Sequence, residues 1–436
     1  MTTLHETAAF VRERAMLVSL VTDAMKRAGV DPDYSLRELE ALAETAGVEV
    51  VTKVTQHREA PDPKWFIGRG KVEELRAVGK ELGATTAIFD QELSGAQVRN
   101  LEEGLDLKII DRTQLILDIF AGRAKTREGI IQVELAQLSY LLPRLAGHGK
   151  NLSRLGGGIG TRGPGETKLE TDRRHIRERI ADLKRQLAEV VRHRNVQRER
   201  RRKTGVTQVA LVGYTNAGKS TLLRELTNAD VYVENKLFAT LDPTSRAWTL
   251  PDGTEVVLTD TVGFIQNLPH ELVAAFRSTL EEAAEADLVL HVVDSSSPYR
   301  EEQMAVVDRI LTELGAGERP RIVLYNKIDL CTDEERQLLR RDGDALLVSA
   351  FSAADRERIG RAVQDKLTGE VRAFDIPSAR GDLIALACRM GEVVGQTASD
   401  DGETMRITVR LNRREYELNG HRLQPYAIWS GKEPGP

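Results

Sequence analysis

The eight residues Gly213-Tyr214-Thr215-Asn216-Ala217-Gly218-Lys219-Ser220 match the spacing G-x-x-x-x-G-K-[ST], which suits the cradling of phosphate oxygens. Glycines at either end let backbone N–H groups curl around the phosphates. Lys219 can reach the β and γ oxygens, and the Ser220 hydroxyl can complete a Mg²⁺ shell. The stretch directly follows the apolar run Val209 to Val212 and directly precedes a helical pattern that starts at Thr221, which is the strand-loop-helix context this chemistry needs.

Three further groups extend the site. Asp260-Thr261-Val262-Gly263 ends the run Val256 to Thr259, where a carboxylate can approach Mg²⁺ through water and the Gly263 N–H can sense a γ-phosphate. Between these corners, the loop Phe238-Ala239-Thr240-Leu241-Asp242 offers Thr240 as a second hydroxyl for Mg²⁺, with Thr244 as the alternative. Asn326-Lys327-Ile328-Asp329 ends the run Ile322 to Leu324 and selects the base. The Asp329 carboxylate can accept from guanine N1–H and the exocyclic amine together, whereas adenine lacks the N1–H and would leave an acceptor unpaired. Ser349-Ala350-Phe351, after Ala345 to Val348, adds a backbone N–H for the guanine O6. The expected ligands are therefore GTP or GDP with Mg²⁺. Lys219, Thr240 and Gly263 are the candidate catalytic residues, and Ser220 and Thr240 the candidate metal ligands.

These residues need a scaffold of strands whose ends meet. From Gln208 onward, short apolar runs rich in β-branched residues alternate with polar loops and helical stretches, including Leu288 to Val293, which predicts a doubly wound α/β sheet. Upstream, Val48 to Val54, Thr85 to Asp90 and Leu107 to Asp111 interleave with helical patterns at Leu36 to Ala46 and Val72 to Leu82, predicting an N-terminal α/β domain. There Gly68-Arg69-Gly70-Lys71 opens a helix and reads either as a short phosphate loop or as a plain helix start. Ile131, Leu135, Leu138 and Leu142 share a helical rhythm with Ile176, Ile180, Leu183, Leu187 and Val190, predicting an antiparallel helical hairpin around the glycine-rich stretch Gly147 to Gly165. The run Arg192 to Lys203 loses that rhythm and reads as a helix end and linker. After about Val371, an alternating strand at Arg406 to Leu411 among scattered glycines suggests a small α+β domain. The expected division is 1–125, 126–204, 205–370 and 371–436.

Composition narrows the classes. A chain of 436 residues that is 41% hydrophobic and 30% charged can bury several cores and is not a disulfide scaffold. Its two cysteines, Cys331 and Cys388, form no CxxC pair and are expected to be buried thiols of a reducing compartment. No apolar run is long enough for a membrane span, so a cytoplasmic protein is expected. The formal charge of −5 argues against a general nucleic-acid binder, but residues 144 to 203 carry 18 basic and 7 acidic side chains. That local excess of +11 leaves −16 for the rest of the chain. The run is either a solvated helix face or a surface for phosphates.

The block Arg154-Leu155-Gly156-Gly157-Gly158-Ile159-Gly160-Thr161-Arg162-Gly163-Pro164-Gly165-Glu166-Thr167-Lys168-Leu169-Glu170-Thr171-Asp172, the phosphate loop and Leu237-Phe238-Ala239-Thr240-Leu241-Asp242-Pro243 together resemble the HflX family among translation-factor-related GTPases, over roughly residues 16 to 425. The resemblance implies a P-loop GTPase domain that binds the large ribosomal subunit and its rRNA. It also implies that the protein helps to split or rescue stalled ribosomes, often under stress, with the N-terminal domain and hairpin tip on the RNA. A monomer is expected. Phe264 stands where many small GTPases have a glutamine that orients water, so intrinsic hydrolysis should be slow and completed by a partner or an ion. Asn216 matches the residue that related GTPases use to hold a monovalent cation, making K⁺ a further candidate, although a turn-stabilising side chain accounts for it equally. Phe351 replaces a common lysine, which weakens stacking on the base. The alternatives are a GTPase of RNA modification, whose catalytic cysteine would lie nearer the C-terminus than Cys388, and a signalling switch with the hairpin as a dimer arm.

Overall fold

The computed structural model describes residues 13–27, 31–145, 168–203, 206–228, 237–268, 282–340, 345–399, 402–412, 416 and 419–428. The glycine-rich stretch, with Lys150, Arg154 and Arg162, lies outside the described residues, as does the side chain of Lys168. The chain forms two compact units, one of residues 1–196 with 233–243 and 262–280, the other of 197–232, 244–261 and 281–436.

In the first unit, β1 (Arg14–Thr22), β2 (Glu49–Arg58), β3 (Thr86–Phe89) and β4 (Lys108–Asp111) form a parallel sheet in the order β2-β1-β3-β4. The helices are α1 (Asp23–Arg27), α2 (Pro32–Thr45), α3 (Arg69–Leu82), α4 (Gly95–Leu105) and α5 (Arg112–Arg123). Met16, Val18 and Leu20 on one face of β1 pack with Val72 and Leu75 of α3 and Leu101 of α4. Strand β1 is not marked by the sequence pattern. Buried on both faces, it has a continuous apolar run rather than an alternation. Gly68 caps α3 and donates its N–H to Gln56 Oε1 at 2.8 Å, so this glycine pair starts a helix as the plainer reading expected.

A buried ionic cluster ties α5 to the sheet. The Arg112 guanidinium bonds Glu38 of α2 and Asp90 just past β3, both at 2.6 Å, while Ser35 donates to Asp90 at 2.7 Å. All of these side chains are almost completely buried. Removing one member of such a set leaves an uncompensated charge, at a cost of about 3–5 kcal/mol. Arg112→Ala is therefore expected to lower the unfolding free energy of the first unit by that order in denaturant titrations, and a loss below about 1 kcal/mol would show that water solvates the carboxylates instead.

Helices α6 (Arg127–Arg144) and α7 (Lys168–Lys203) form the two sides of the expected hairpin. Arg179 holds Glu134 through two bonds of 2.7 and 2.8 Å, and Arg194 meets Glu128 at 2.9 Å, so the helices run antiparallel. Helix α7 continues through Arg192 to Lys203, where a linker was expected. Arginine, glutamate and glutamine propagate a helix well without an apolar face.

In the second unit, β5 (Gln208–Gly213) leads into α8 (Lys219–Thr227), followed by β6 (Thr244–Thr249), β7 (Glu255–Asp260) and β8 (Leu288–Asp294). Then come α9 (Arg300–Glu313), β9 (Arg321–Asn326), α10 (Asp333–Leu339), β10 (Leu346–Leu347) and α11 (Ala353–Leu367). The sheet order is β10-β9-β8-β5-β7-β6, all parallel except the edge strand β6, which is antiparallel to β7. The order reverses beside β5, and ligands of such sheets sit at the carboxyl ends of the strands at that point. Beyond it, β11 (Thr368–Pro377), β12 (Gly391–Ala398), β13 (Thr404–Asn412) and β14 (Ala427–Ile428) form an antiparallel sheet packed by α12 (Gly381–Arg389). This is the small α+β element expected at the C-terminus. Cys331 is buried, but Cys388 on α12 is exposed, contrary to the expectation for both, because it falls on the solvent side of an amphipathic helix.

Candidate nucleotide site

In the second unit, four groups expected from the sequence emerge from the carboxyl ends of neighbouring strands. Gly213 ends β5 with φ +153°, and a Cβ there would lie 2.2 Å from the Val292 carbonyl oxygen, so only glycine lets β5 and β8 approach this closely. Gly218 has φ +96°, and a Cβ on it would meet Asn326 Nδ2 at 2.3 Å. Asn216 adopts φ +61° within the same loop. Tyr214, Thr215 and Ala217 are buried, and Thr221 lies in the first turn of α8.

The Lys219 ammonium folds back over the loop, donating to the carbonyls of Gly213 (3.1 Å) and Tyr214 (2.8 Å). Burial pushes its pKa down to about 8; Asp260 opposes the shift, and Lys327 reinforces it. A buried ammonium with two carbonyl partners is placed to exchange them for phosphate oxygens, which stabilise the charge more strongly. Ser220 Oγ donates to Asp260 Oδ2 at 2.6 Å, and Thr261 Oγ1 anchors the end of β7 to the Leu211 carbonyl at 2.7 Å. A hydroxyl and a carboxylate in contact are hard oxygen donors of the kind Mg²⁺ takes. Thr244, the alternative hydroxyl, is held in β6 directly opposite Asp260 in the strand register.

Asn326 acts as a bridge. Its Nδ2 donates to the Ala217 carbonyl at 2.9 Å and its Oδ1 accepts from the Ala350 N–H at 3.2 Å, joining the phosphate loop to the Ser349-Ala350-Phe351 turn. Lys327, at φ +62°, reaches Asp294 at 2.7 Å. Ile328 donates its N–H to the Val348 carbonyl, and Asp329 stands exposed on the turn that follows. Asp355 accepts the Ser349 N–H at 3.0 Å, a support that the sequence motifs did not reveal. Phe351 is 70% exposed, leaving its ring unburied by protein.

The remaining expected residues belong to the first unit. Phe238 is only 2% exposed, and its ring meets Phe120 edge-on with centroids 4.6 Å apart. Leu241 is buried, whereas Ala239 and Thr240 are partly exposed. The Asp242 carboxylate accepts from the backbone N–H groups of Lys125 and Thr126, both at 2.9 Å, and from the Thr126 hydroxyl. Val262 and Gly263 are buried, and Phe264 is completely so, which places an apolar core residue where a water-orienting amide would stand in other GTPases.

Three stretches of the chain match known protein families. Residues 33–121 match a family described as GTP-binding GTPase N-terminal, 123–201 its GTP-binding GTPase middle region, and 208–327 a family described as 50S ribosome-binding GTPase. The chain is 48% identical over 406 residues to GTPase HflX of Caldanaerobacter subterraneus, covering 93% of this chain and 92% of that one. It is 48% identical to GTPase HflX of Alkalihalophilus pseudofirmus, covering 95% of both chains. Identity to GTPase HflX of Escherichia coli is 44%, covering 86% of this chain and 89% of the relative. A phosphate loop on β5, a serine-carboxylate pair and an Asn-Lys-x-Asp turn, carried on a sequence matched this widely, make the chain a GTPase of the HflX family.

Proposed function

We propose that this GTPase associates with the large ribosomal subunit and uses GTP binding and hydrolysis to separate or rescue stalled ribosomes in the cytoplasm, acting as a monomer. The observation that carries the reading is the pairing of an Asn-Lys-x-Asp guanine site and phosphate loop with a long basic helix, α7, on the same chain. Lys219 holds the β and γ oxygens, and the N–H groups of Tyr214 to Thr221 surround the phosphates. Ser220 and Thr240 hold Mg²⁺, with Asp260 acting through water. Gly263 offers its N–H to the γ-phosphate. Mg²⁺ would offset charge that develops on the transferring phosphoryl group. The four-part division at 125, 204 and 370 separates the RNA-facing part from this engine.

Because Phe264 supplies no polar atom, water must be oriented by something else, and ribosomal contact is the proposed source. Asn216, held in the left-handed region, is positioned to contribute to a K⁺ site beside the phosphates. Co-sedimentation with large subunits in a non-hydrolysable GTP analogue tests the reading. Retention that is strong with the analogue and weak with GDP is expected, and equal retention would leave only a nucleotide switch. Hydrolysis measured in potassium and in sodium at equal ionic strength addresses Asn216, since equal rates would remove the ion from the mechanism. No observation favours the RNA-modification reading.

A further inference from the structure

The loop that carries Thr240 is fastened on both sides of that residue to a single place, the elbow between α5 and α6. Before it, Phe238 takes φ +54°, a conformation costly for a bulky aromatic residue, and buries its ring against Phe120 of α5. After it, the Asp242 carboxylate takes three donors at the start of α6, from Lys125, Thr126 and the Thr126 hydroxyl. The same hydroxyl caps α6 by accepting from the Gly129 N–H at 3.0 Å. Gly129 makes the room, because a Cβ on it would lie 2.6 Å from Asp242 Oδ1. A strained residue and a triply bonded carboxylate flanking one threonine specify where that threonine sits.

We propose that Phe120, Thr126 and Gly129 of the α5–α6 elbow are positioning residues for Thr240: they hold its loop ordered for the triphosphate-bound state. This rests on the reading of Thr240 as a Mg²⁺ ligand in that state. The physical reason is preorganisation. A loop already ordered loses less entropy when γ-phosphate and Mg²⁺ engage it. GDP does not call on the Thr240 hydroxyl, so its affinity should not depend on the elbow. The elbow also begins α6, which α7 grips through Glu128 and Glu134, so nucleotide state and the basic arm share one joint.

Gly129→Ala tests this in the full-length protein. Alanine favours the helix interior, and the added methyl would meet Asp242 Oδ1 at 2.6 Å and the Thr126 hydroxyl at 3.1 Å, the two groups that fasten the loop. Gly122→Ala on α5 is the matched control, since a Cβ there meets nothing within 4 Å. Affinities for GDP and for a non-hydrolysable GTP analogue, each with Mg²⁺, are the readout. Gly129→Ala is expected to weaken analogue binding about tenfold relative to GDP. Gly122→Ala and Thr126→Ser, which keeps the hydroxyl, should match the parent. If Gly129→Ala matches Gly122→Ala, or binds the analogue more tightly than the parent, the elbow does not hold Thr240 ready and the proposal falls. Thr240→Val separates the underlying reading: if it leaves the preference for analogue over GDP unchanged, Thr240 is not the triphosphate hydroxyl. If it removes the preference while Gly129→Ala does not, the positioning role alone fails.

Discussion

Asp329→Asn is expected to move base preference from guanine to xanthine. The peptide at Asp329 is well fixed: Ile328 donates to Val348, Asn326 bridges Ala217 and Ala350, and Lys327 is tied to Asp294. The carboxylate itself is exposed and has no protein partner among the described residues, so it is available to a base. With guanine it accepts from N1–H and the exocyclic amine. An asparagine at this position keeps one acceptor but points an N–H donor at that amine, whereas xanthine presents a carbonyl there. Each lost hydrogen bond to a charged group is worth about 1.5–3 kcal/mol, so GDP affinity should fall at least tenfold while xanthosine diphosphate binding rises. Competition between the two diphosphates for the variant measures the exchange, and undiminished GDP affinity would show that the base binds elsewhere.

The sequence made this site legible because its chemistry is local. Four short motifs each end a strand, and strands β5, β7, β8 and β9 announce themselves as apolar runs with β-branched residues. Strand β6 did not: its exposed Ser245, Arg246 and Ala247 follow an irregular loop and lie on the sheet edge, where little burial is required. The ends of the charged helix α7 were equally obscure, since a run of charged residues with no apolar repeat imposes no period. Contacts between distant parts were the least visible. Asp242 spends its carboxylate on residues more than a hundred positions earlier in the chain, and Asn326 serves two loops with the amide that the motif assigns to the base site. Spacing shows which side chains share a strand end but not which of them bond first to the protein. That Lys219 rests on the carbonyls of Gly213 and Tyr214 follows from the curl of the loop, which the positive φ angles of Gly213, Asn216 and Gly218 determine.

The basic arm separates a ribosome-directed role from a dimer arm most sharply. On α7, Arg177, Lys184 and Arg192 are exposed at helical spacings that keep them near one face, and Arg154 and Arg162 add charge in the glycine-rich stretch before it. By contrast, Leu183 is 1% exposed within a single chain, and Arg179 and Arg194 are committed to α6, so much of the apolar seam a second copy would need is already used. Cations that neutralise RNA phosphates release counterions, and affinity then falls with salt by about one unit of logarithmic slope per contact. Changing Arg154 and Arg162 together to glutamate is accordingly expected to leave GTP binding intact, weaken binding to the large subunit, flatten its salt dependence by about two units and abolish ribosome separation. Polar substitutions at Ile180, Leu183 and Leu187 supply the contrast. A dimer arm requires them to lower self-association in sedimentation while ribosome affinity stays constant, whereas on the present reading they disturb only the seat of α7 on α6. If the double glutamate variant separates ribosomes as well as the parent, the glycine-rich stretch serves only as a linker, and the ribosome-directed role rests on family likeness alone.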